Sequence, residues 1–157
     1  EPNLLLRDNV KMHFTASAWV LNPSKDKVLM LYHNIYQSWS WSGGHADGEG
    51  DLLSVAMKEV KEESGLVSLK PLSDSPISIE ILGVQPHYKK QKYVSAHLHL
   101  NYTFLLHNTK EEKLKICPEE NSKVGWLSPD EAVRSSTEAW MKPIYEKLNQ
   151  KMKAYLG

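Results

Sequence analysis

Alternation of apolar and polar side chains predicts the first strands of this 157-residue chain. Residues 13–21 alternate with a period of two, which is typical of a strand that faces a core on one side. A cluster of turn-forming residues follows at 22–26, and residues 28–32 form an almost continuous apolar run. The pattern therefore predicts a hairpin of two well-buried strands.

A longer alternating segment, residues 93–107, is the clearest strand in the sequence. Its apolar face comprises Val94, Ala96, Leu98, Leu100, Tyr102, Phe104 and Leu106. Its polar face comprises Ser95, His97, His99, Asn101 and Thr103. Shorter strands are predicted at residues 77–84 and 124–127, and a short aromatic strand runs from Trp39 into a glycine-rich loop at Gly43-Gly44.

Start and stop signals predict a helix between these strands. Asp51 is a good N-cap, and Ser64-Gly65 is a good helix end, so the helix between them has about three to four turns. Residues 1–11 allow two readings: Leu4 to Leu6 either begin a short helix or cover one end of the core.

Two more helices are predicted near the C-terminus. Ser128 to Glu131 form a capping box with proline at the first helical position, which is a strong helix start. Residues 138–155 then form an amphipathic helix, and Pro143 either lies in its first turn or resets its start. The side chains predicted to point inward are Trp140, Ile144, Tyr145, Leu148 and Met152.

Strands in hairpin-like pairs are mixed with helices that do not alternate strictly with them. This order favours an α+β fold, an α/β/α sandwich in which a mixed β-sheet lies between helices, over a doubly wound parallel sheet. The length fits one domain, residues 1–157.

Composition narrows the class of partner. Lysine plus arginine and aspartate plus glutamate both number 19, so the formal net charge is zero, which argues against nucleic-acid and membrane-surface partners. No apolar run approaches the ~20 residues of a membrane span, and no secretion signal is evident, so we expect a cytoplasmic protein. The single cysteine, Cys117, cannot form an internal disulfide. A small anionic ligand remains compatible with this composition.

Three glutamates on the first helix are candidates for metal chemistry. Glu59, Glu62 and Glu63 are neighbours at i, i+3 and i+4 spacing, on the flank of the apolar stripe. Their mutual repulsion is relieved either by solvent, as on an ordinary acidic face, or by a divalent cation that takes carboxylate oxygens. The preceding Gly43-Gly44 pair allows either a close backbone approach or a positive φ.

Residues 44–66 resemble the Nudix box, G-x5-E-x7-R-E-U-x-E-E-x-G-U, where U is a bulky apolar residue. The positions that match are Gly44, Glu59, Val60, Glu62, Glu63, Gly65 and Leu66. Gly50 stands in place of the box glutamate and Lys58 in place of its arginine, so the brace expected between those residues is missing or rebuilt. Glu49 or Asp51 could swing in to meet Lys58.

The resemblance implies a Nudix-like fold and a hydrolase that uses Mg²⁺ or Mn²⁺ to cleave the diphosphate linkage of a nucleoside diphosphate derivative. Glu59 and Glu63 are then the best metal ligands, with Glu62 sharing the site or acting as base. The Gly44 carbonyl is a further ligand. One more carboxylate is expected from a later loop, and the candidates are Glu119 and Glu120.

Substrate contacts are expected from the glycine-rich loop and from nearby rings. The residues assigned to this role are Gly43, Gly44, His45, Trp39, His97 and His99, with Tyr36 and Tyr88 as further stacking candidates. For each aromatic residue taken alone, packing is the competing role. His97 and His99 could instead face solvent, and His45 could merely fill the loop. His97 and His99 also have a spacing that suits zinc, but the sequence shows no third ligand.

Two other functions fit parts of the sequence. A non-catalytic module of the same fold that binds a nucleotide or sugar phosphate is suggested by Gly50 and Lys58. An isoprenoid diphosphate isomerase would require a catalytic cysteine, and Cys117 is distant from the box in sequence. The sequence does not specify the substrate, and a homodimer is compatible with it.

Overall fold

A mixed β-sheet forms the centre of the structure, a computed structural model that describes residues 3–157. Its strands and those of a small separate hairpin are β1 Met12–Leu21, β2 Val28–His33, β3 Ser38–Ser40, β4 Ser42–His45, β5 Leu69–Pro71, β6 Ser78–Val84, β7 His87–Lys89, β8 Lys92–Val94, β9 His97–Asn108 and β10 Asn121–Leu127. The helices are α1 Leu52–Ser64, α2 Pro129–Arg134 and α3 Lys142–Leu156. Strands β7 and β8 pair only with each other, and the other strands form one eight-stranded sheet.

The central pair of the sheet is parallel. Strand β1 pairs with β9 from Met12 opposite Leu98 to Leu21 opposite His107, and the main order is β10-β2-β1-β9-β5. All other strand pairs of this sheet are antiparallel. The sheet is therefore mixed, as the sequence predicts.

Strand β1 separates from β2 along most of its length. The two strands pair at Leu21 and Val28, which confirms the predicted hairpin, whereas the middle of β1, residues 15–18, pairs with β4. Strand β3 pairs instead with β2. The short β3–β4 segment thus fills the gap where the sheet divides, and this placement brings the glycine-rich loop to the centre of the fold.

Helices cover both faces of the sheet. One core cluster includes Ala16 and Ala18 of β1 with Val60 of α1, and a second includes Trp19 of β1 with Tyr145 of α3. Because alternate residues of β1 contact opposite helices, both of its faces are buried apart from its first residues. The predicted α+β sandwich, with a mixed sheet between helices, is confirmed.

The predicted strand 93–107 is interrupted. Strand β8 pairs with the preceding β7 as a separate hairpin that extends to Val94, and β9 begins at His97. In the first half of β9 the polar face is buried and the apolar face is more exposed, which is the reverse of the prediction. Asn101 is 1% exposed, whereas Leu98 is 38% exposed. The polar face of β9 lies beside polar residues of β1, with His99 opposite His13 and Asn101 opposite Thr15.

The C-terminal helix begins later than predicted. It starts at Lys142, with Pro143 in its first turn as expected, and Tyr145, Leu148 and Met152 are buried. Trp140 is not an inward-facing helical residue, because it precedes the helix and is 58% exposed. The predicted capping box at Ser128 is present in full.

The N-terminal segment forms turns against the glycine-rich loop. Phe14 N donates to Leu4 O at 2.7 Å, and Gly48 N donates to Leu5 O at 2.7 Å. The segment therefore lies beside the start of β1 and the loop after β4 instead of forming a helix, and residues 1–2 of the ambiguous stretch lie outside the described residues. Among the described residues, no helix has the length and apolarity needed to cross a membrane.

Leu148→Ala should destabilise the protein by about 2–5 kcal/mol, because it leaves a cavity between α3 and the sheet. The measurement is the free energy of unfolding in urea. Leu156→Ala on the same helix is the matched control, since Leu156 is 40% exposed and its loss should cost less than about 1 kcal/mol. Equal losses in the two variants would contradict the packing described here.

Candidate active site

Both ends of α1 are fixed by local hydrogen bonds. The Asp51 carboxylate accepts from the backbone N–H and the hydroxyl of Ser54, and Gly65 ends the helix in the left-handed conformation at φ 79°. The buried side chains of Val55 and Val60 set the rotation of the helix against the sheet. This rotation directs the glutamates along the flank of α1 toward β4.

The two glycines of β4 permit an unusually close approach of the backbone. A Cβ atom at Gly44 would overlap the carboxyl group of Glu59. A Cβ atom at Gly43 would lie 2.7 Å from Ser17 Oγ and 2.8 Å from Ala16 O. Neither glycine is among the described residues with positive φ. Of the two roles that the sequence allowed, close approach is therefore the one observed.

Glu63 is the most buried carboxylate of the site, at 5% exposure. Its Oε1 accepts from Ser42 Oγ at 2.8 Å and from Gly43 N at 3.1 Å. Burial raises the pKa of Glu63 to about 8, although these hydrogen bonds act in the opposite direction. Burial also raises the pKa of Glu59 to about 7, with the negative charge of Glu62 as the next cause.

A cavity of about 520 Å³ brings the predicted carboxylates together. Its wall includes Glu59, Glu62, Glu63 and Glu120, and the charge of Glu120 raises the pKa of both Glu59 and Glu63. Glu119 is exposed and does not line this cavity. The structure thus distinguishes the two neighbouring candidates in favour of Glu120.

A second cavity, of about 250 Å³, adjoins the first along Gly43, Gly44 and His45. Apolar and aromatic side chains line one part of it: Trp41, Leu82, Trp140, Met141 and Tyr145. The polar part contains Asn101, whose Oδ1 accepts from Thr15 Oγ1 at 2.8 Å and from Ser17 Oγ at 2.9 Å. A flat ring with polar edges fits this combination of aromatic walls and fixed hydrogen-bonding groups.

Only one of the three aromatic residues proposed for stacking lines a cavity. Tyr36 lines both of them, whereas Trp39 lines neither and packs edge-on against Tyr32, with ring centroids 5.9 Å apart. Tyr88 is 71% exposed and also lies outside both walls. The sequence interpretation missed Trp41, two residues after Trp39, because the break between β3 and β4 directs the second tryptophan into the site.

The predicted histidines converge with one that the sequence interpretation missed. His45, His97 and His99 line the larger cavity together with His13. Burial lowers the pKa of both His45 and His99 to about 3, so these rings are neutral at physiological pH. His13 has no local signature, and only the parallel register of β1 and β9 places it beside His99.

The expected brace between the loop and α1 takes a different form. Lys58 lies 3.9 Å from Glu62 in an exposed ion pair and does not meet Glu49 or Asp51, since Glu49 instead accepts from the Asp51 N–H. Gly50 has open space around it.

The loop between β4 and α1 is held by a residue outside the Nudix-box segment, residues 44–66. Arg7 donates two hydrogen bonds of 2.8 Å to Asp47, and this contact lowers the pKa of Asp47. The loop is therefore tied to the N-terminal segment, and Lys58 does not tie it to α1.

Most of the chain matches the model of a known family. The NUDIX domain model matches residues 11–148, and the chain belongs to that family. No curated protein matches the chain by sequence.

Solved structures agree at the level of the fold. A C. elegans Ap4A hydrolase in a binary complex has a TM-score of 0.67 at 18% identity, covering 90% of this chain and 98% of its own. A NUDIX-family hydrolase from Clostridium perfringens has a TM-score of 0.65 at 18% identity, covering 90% and 97%. The E. coli dihydroneopterin triphosphate pyrophosphohydrolase has a TM-score of 0.61 at 17% identity, covering 85% and 92%.

Gly44→Ala should weaken Mn²⁺ binding about 10-fold or more, because the added methyl group displaces the Glu59 carboxylate. Titration with Mn²⁺ measures the effect. Gly50→Ala is the matched control, since nothing lies near that position, and its affinity should equal that of the original protein. A normal affinity in the Gly44→Ala variant would show that this close approach does not position a ligand.

In the presence of a chelator, the protein should lose stability as the pH rises. The folded-state pKa of Glu63, about 8, is above its ordinary value of 4.5. The resulting stabilisation is complete below pH 4.5 and is lost as the pH rises through about 8. Glu63→Gln stays neutral, so its melting temperature should exceed that of the original protein by a few degrees at about pH 9.

Thermal unfolding with chelator across this pH range provides the measurement. The exposed Glu111→Gln variant should follow the original curve. Parallel curves for the original protein and Glu63→Gln would be inconsistent with a buried carboxyl group that ionises near neutral pH.

Proposed function

We propose that this protein is a divalent-metal-dependent hydrolase that cleaves the diphosphate linkage of a nucleoside diphosphate derivative. The observation that carries the proposal is the convergence of Glu59, Glu62, Glu63 and Glu120 on one cavity, next to a second cavity with aromatic walls. The first suits a metal–diphosphate group and the second a nucleoside base. The substrate is accordingly a small molecule and not a nucleic acid.

The carboxylates fit Mg²⁺ or Mn²⁺, which prefer oxygen ligands. Glu59, Glu63 and Glu120 are the proposed ligands, with Glu62 and the Gly44 carbonyl as additional oxygen donors. The raised pKa values of Glu59 and Glu63 reflect burial and nearby negative charge, and a cation would relieve both. When bound, the metal neutralises phosphate charge and polarises the attacked phosphorus.

The side chains around the carboxylates have defined roles in this proposal. Ser42 and the Gly43 N–H hold Glu63 in place, so its second oxygen is available to the cavity. Glu62 is partly exposed at the cavity wall, where it can accept a proton from the attacking water. Lys89 lines the same cavity and supplies positive charge for phosphate oxygens.

The base is expected in the smaller cavity. Trp41 and Tyr36 offer ring faces, and Asn101 offers an amide whose orientation is fixed by Thr15 and Ser17. His45 lies on the wall that both cavities share, where a diphosphate would pass between them. The names of two structural neighbours, an Ap4A hydrolase and a dihydroneopterin triphosphate pyrophosphohydrolase, support a substrate with linked phosphates.

A non-catalytic binding module is the second candidate, and the changed brace favours it. Lys58 is paired with Glu62 instead of the loop, so it does not hold the loop against α1. Metal-independent nucleotide binding without turnover would support this alternative. The isomerase alternative is weaker, because Cys117 lines neither of the two cavities.

Glu63→Gln should lower kcat about 100-fold or more, because it removes a charged ligand while retaining the shape of the side chain. The assay is phosphate or nucleotide release from a panel of dinucleotides, nucleotide sugars and nucleoside triphosphates with Mg²⁺ or Mn²⁺. Equal rates in the original protein and the variant would refute the proposed role of Glu63.

The neighbours Glu119 and Glu120 provide a matched comparison. Glu120→Gln should reduce the rate, whereas the exposed Glu119→Gln should leave it unchanged. If only Glu119→Gln reduced the rate, Glu119 and not Glu120 would be the additional carboxylate ligand.

A further inference from the structure

Three histidine side chains form a cluster at the end of the sheet. One ring nitrogen from each of His13, His45 and His99 lies within 4.8 Å of the others. Across residues 3–157 no other set of histidine, cysteine, aspartate or glutamate side chains meets this criterion, and the catalytic glutamates do not. We propose that His13, His45 and His99 form a second metal site, selective for zinc and similar transition metals.

Strand pairing accounts for the position of all three rings. His13 lies opposite His99 in the parallel pair of β1 and β9, and His45 lies opposite Thr15 in the antiparallel pair of β1 and β4. The ring centroids are 5.2 Å apart for His13–His45, 5.0 Å for His13–His99 and 5.1 Å for His45–His99. Ligands held on adjacent strands keep a fixed geometry better than ligands on loops.

His13 provides an independent indication of a ligand. The side chain is 4% exposed, and its Nδ1–H donates to the carbonyl of Asn9 at 3.0 Å. Its Nε2 is buried and has no hydrogen-bond partner. A buried polar atom without a partner is unfavourable. Metal-binding histidines commonly donate their second N–H to a carbonyl group, as His13 does here.

His97 fixes the orientation of the His99 ring. The Nδ1–H of His97 donates to Ser95 O at 2.8 Å, so its Nε2 accepts a hydrogen bond from Nε2–H of His99 across 3.1 Å. This arrangement leaves the lone pair of His99 on Nδ1. His99 can therefore coordinate a metal through Nδ1 while it keeps its bond to His97, which acts as a positioning residue.

The size of the cluster suits zinc after a small adjustment. Zinc–nitrogen bonds of about 2.0–2.1 Å place tetrahedral ligand atoms about 3.3 Å apart. The three ring nitrogens lie within 4.8 Å of one another, and they reach the shorter separation when the side chains rotate toward a common ion. The positive charge of Arg7, on the same cavity wall, is already paired with Asp47.

The chemistry of the donors separates this site from the glutamates. Neutral imidazole suits zinc, nickel and copper, whereas magnesium and manganese prefer oxygen. Three protein ligands leave a fourth position open toward the larger cavity. The inference does not depend on the proposed hydrolysis, because metal binding can be measured without substrate.

The test uses the full chain carrying Glu59→Gln and Glu63→Gln, which removes the main carboxylate ligands. After treatment with chelator, the protein is dialysed against ZnCl₂, and bound zinc is measured together with the visible spectrum of a Co²⁺-loaded sample. We expect one zinc ion per chain. His13→Gln and His99→Gln should each weaken binding by about 10-fold or more, and His107→Gln, at the distant end of β9, should not.

The proposal would be overturned by absence of zinc from the double glutamine variant, or by equal zinc affinity with and without His13→Gln. Circular dichroism establishes that each variant is folded, and His99→Gln serves if His13→Gln is not. In the original protein, excess Mg²⁺ should fail to displace the zinc. Binding of inorganic phosphate in place of zinc, with loss in His13→Gln, would identify an anion site and also overturn the proposal.

Discussion

The contact between α1 and β4 is the constraint on which the rest of the site depends. The backbone of Gly44 lies against the carboxyl group of Glu59, and Glu63 accepts hydrogen bonds from Ser42 and Gly43. Any side chain at Gly44 would occupy the space of the Glu59 carboxyl. The helix can therefore approach β4 only because this strand carries glycines, and the approach buries Glu63 and partly buries Glu59.

The division of the sheet creates the space that these carboxylates face. Strand β1 leaves β2 after one pair near Leu21, and β4 takes the vacant position beside it. Farther along β1, Trp19 packs on Tyr145 of α3, whereas Thr15 and Ser17 contact Asn101 and face a cavity. One face of one strand thus changes from core to binding surface within a few residues.

Two kinds of side chain suited to metal binding lie on the wall of a single cavity. The glutamates of α1 offer oxygen atoms, and His13, His45 and His99 offer nitrogen atoms. Burial shifts the pKa values of the two sets in opposite directions, because it raises the pKa of Glu63 and lowers the pKa of His99. Both sets are thereby driven toward their neutral forms, and a cation favours the ionised carboxylates and the neutral imidazoles alike.

The sequence by itself determined the features that depend on residues close along the chain. The cap at Asp51, the end of α1 at Gly65 and the spacing of Glu59 and Glu63 follow from local periodicity and hydrogen bonding, and the structure has them as predicted. The class of fold followed from the order of strands and helices. A resemblance over residues 44–66 indicated the family before any contact was known.

Only the tertiary structure decided which distant residues meet. Trp41 and not Trp39 reaches the cavity, Glu120 and not Glu119 joins the other carboxylates, and His13 lies beside His99. These outcomes depend on strand register and on the break between β3 and β4, which local patterns do not encode. A shift of one residue in strand register moves every side chain of the strand to the opposite face of the sheet. The pairing of the strands, and not the segment alone, therefore decides which residues belong to the site.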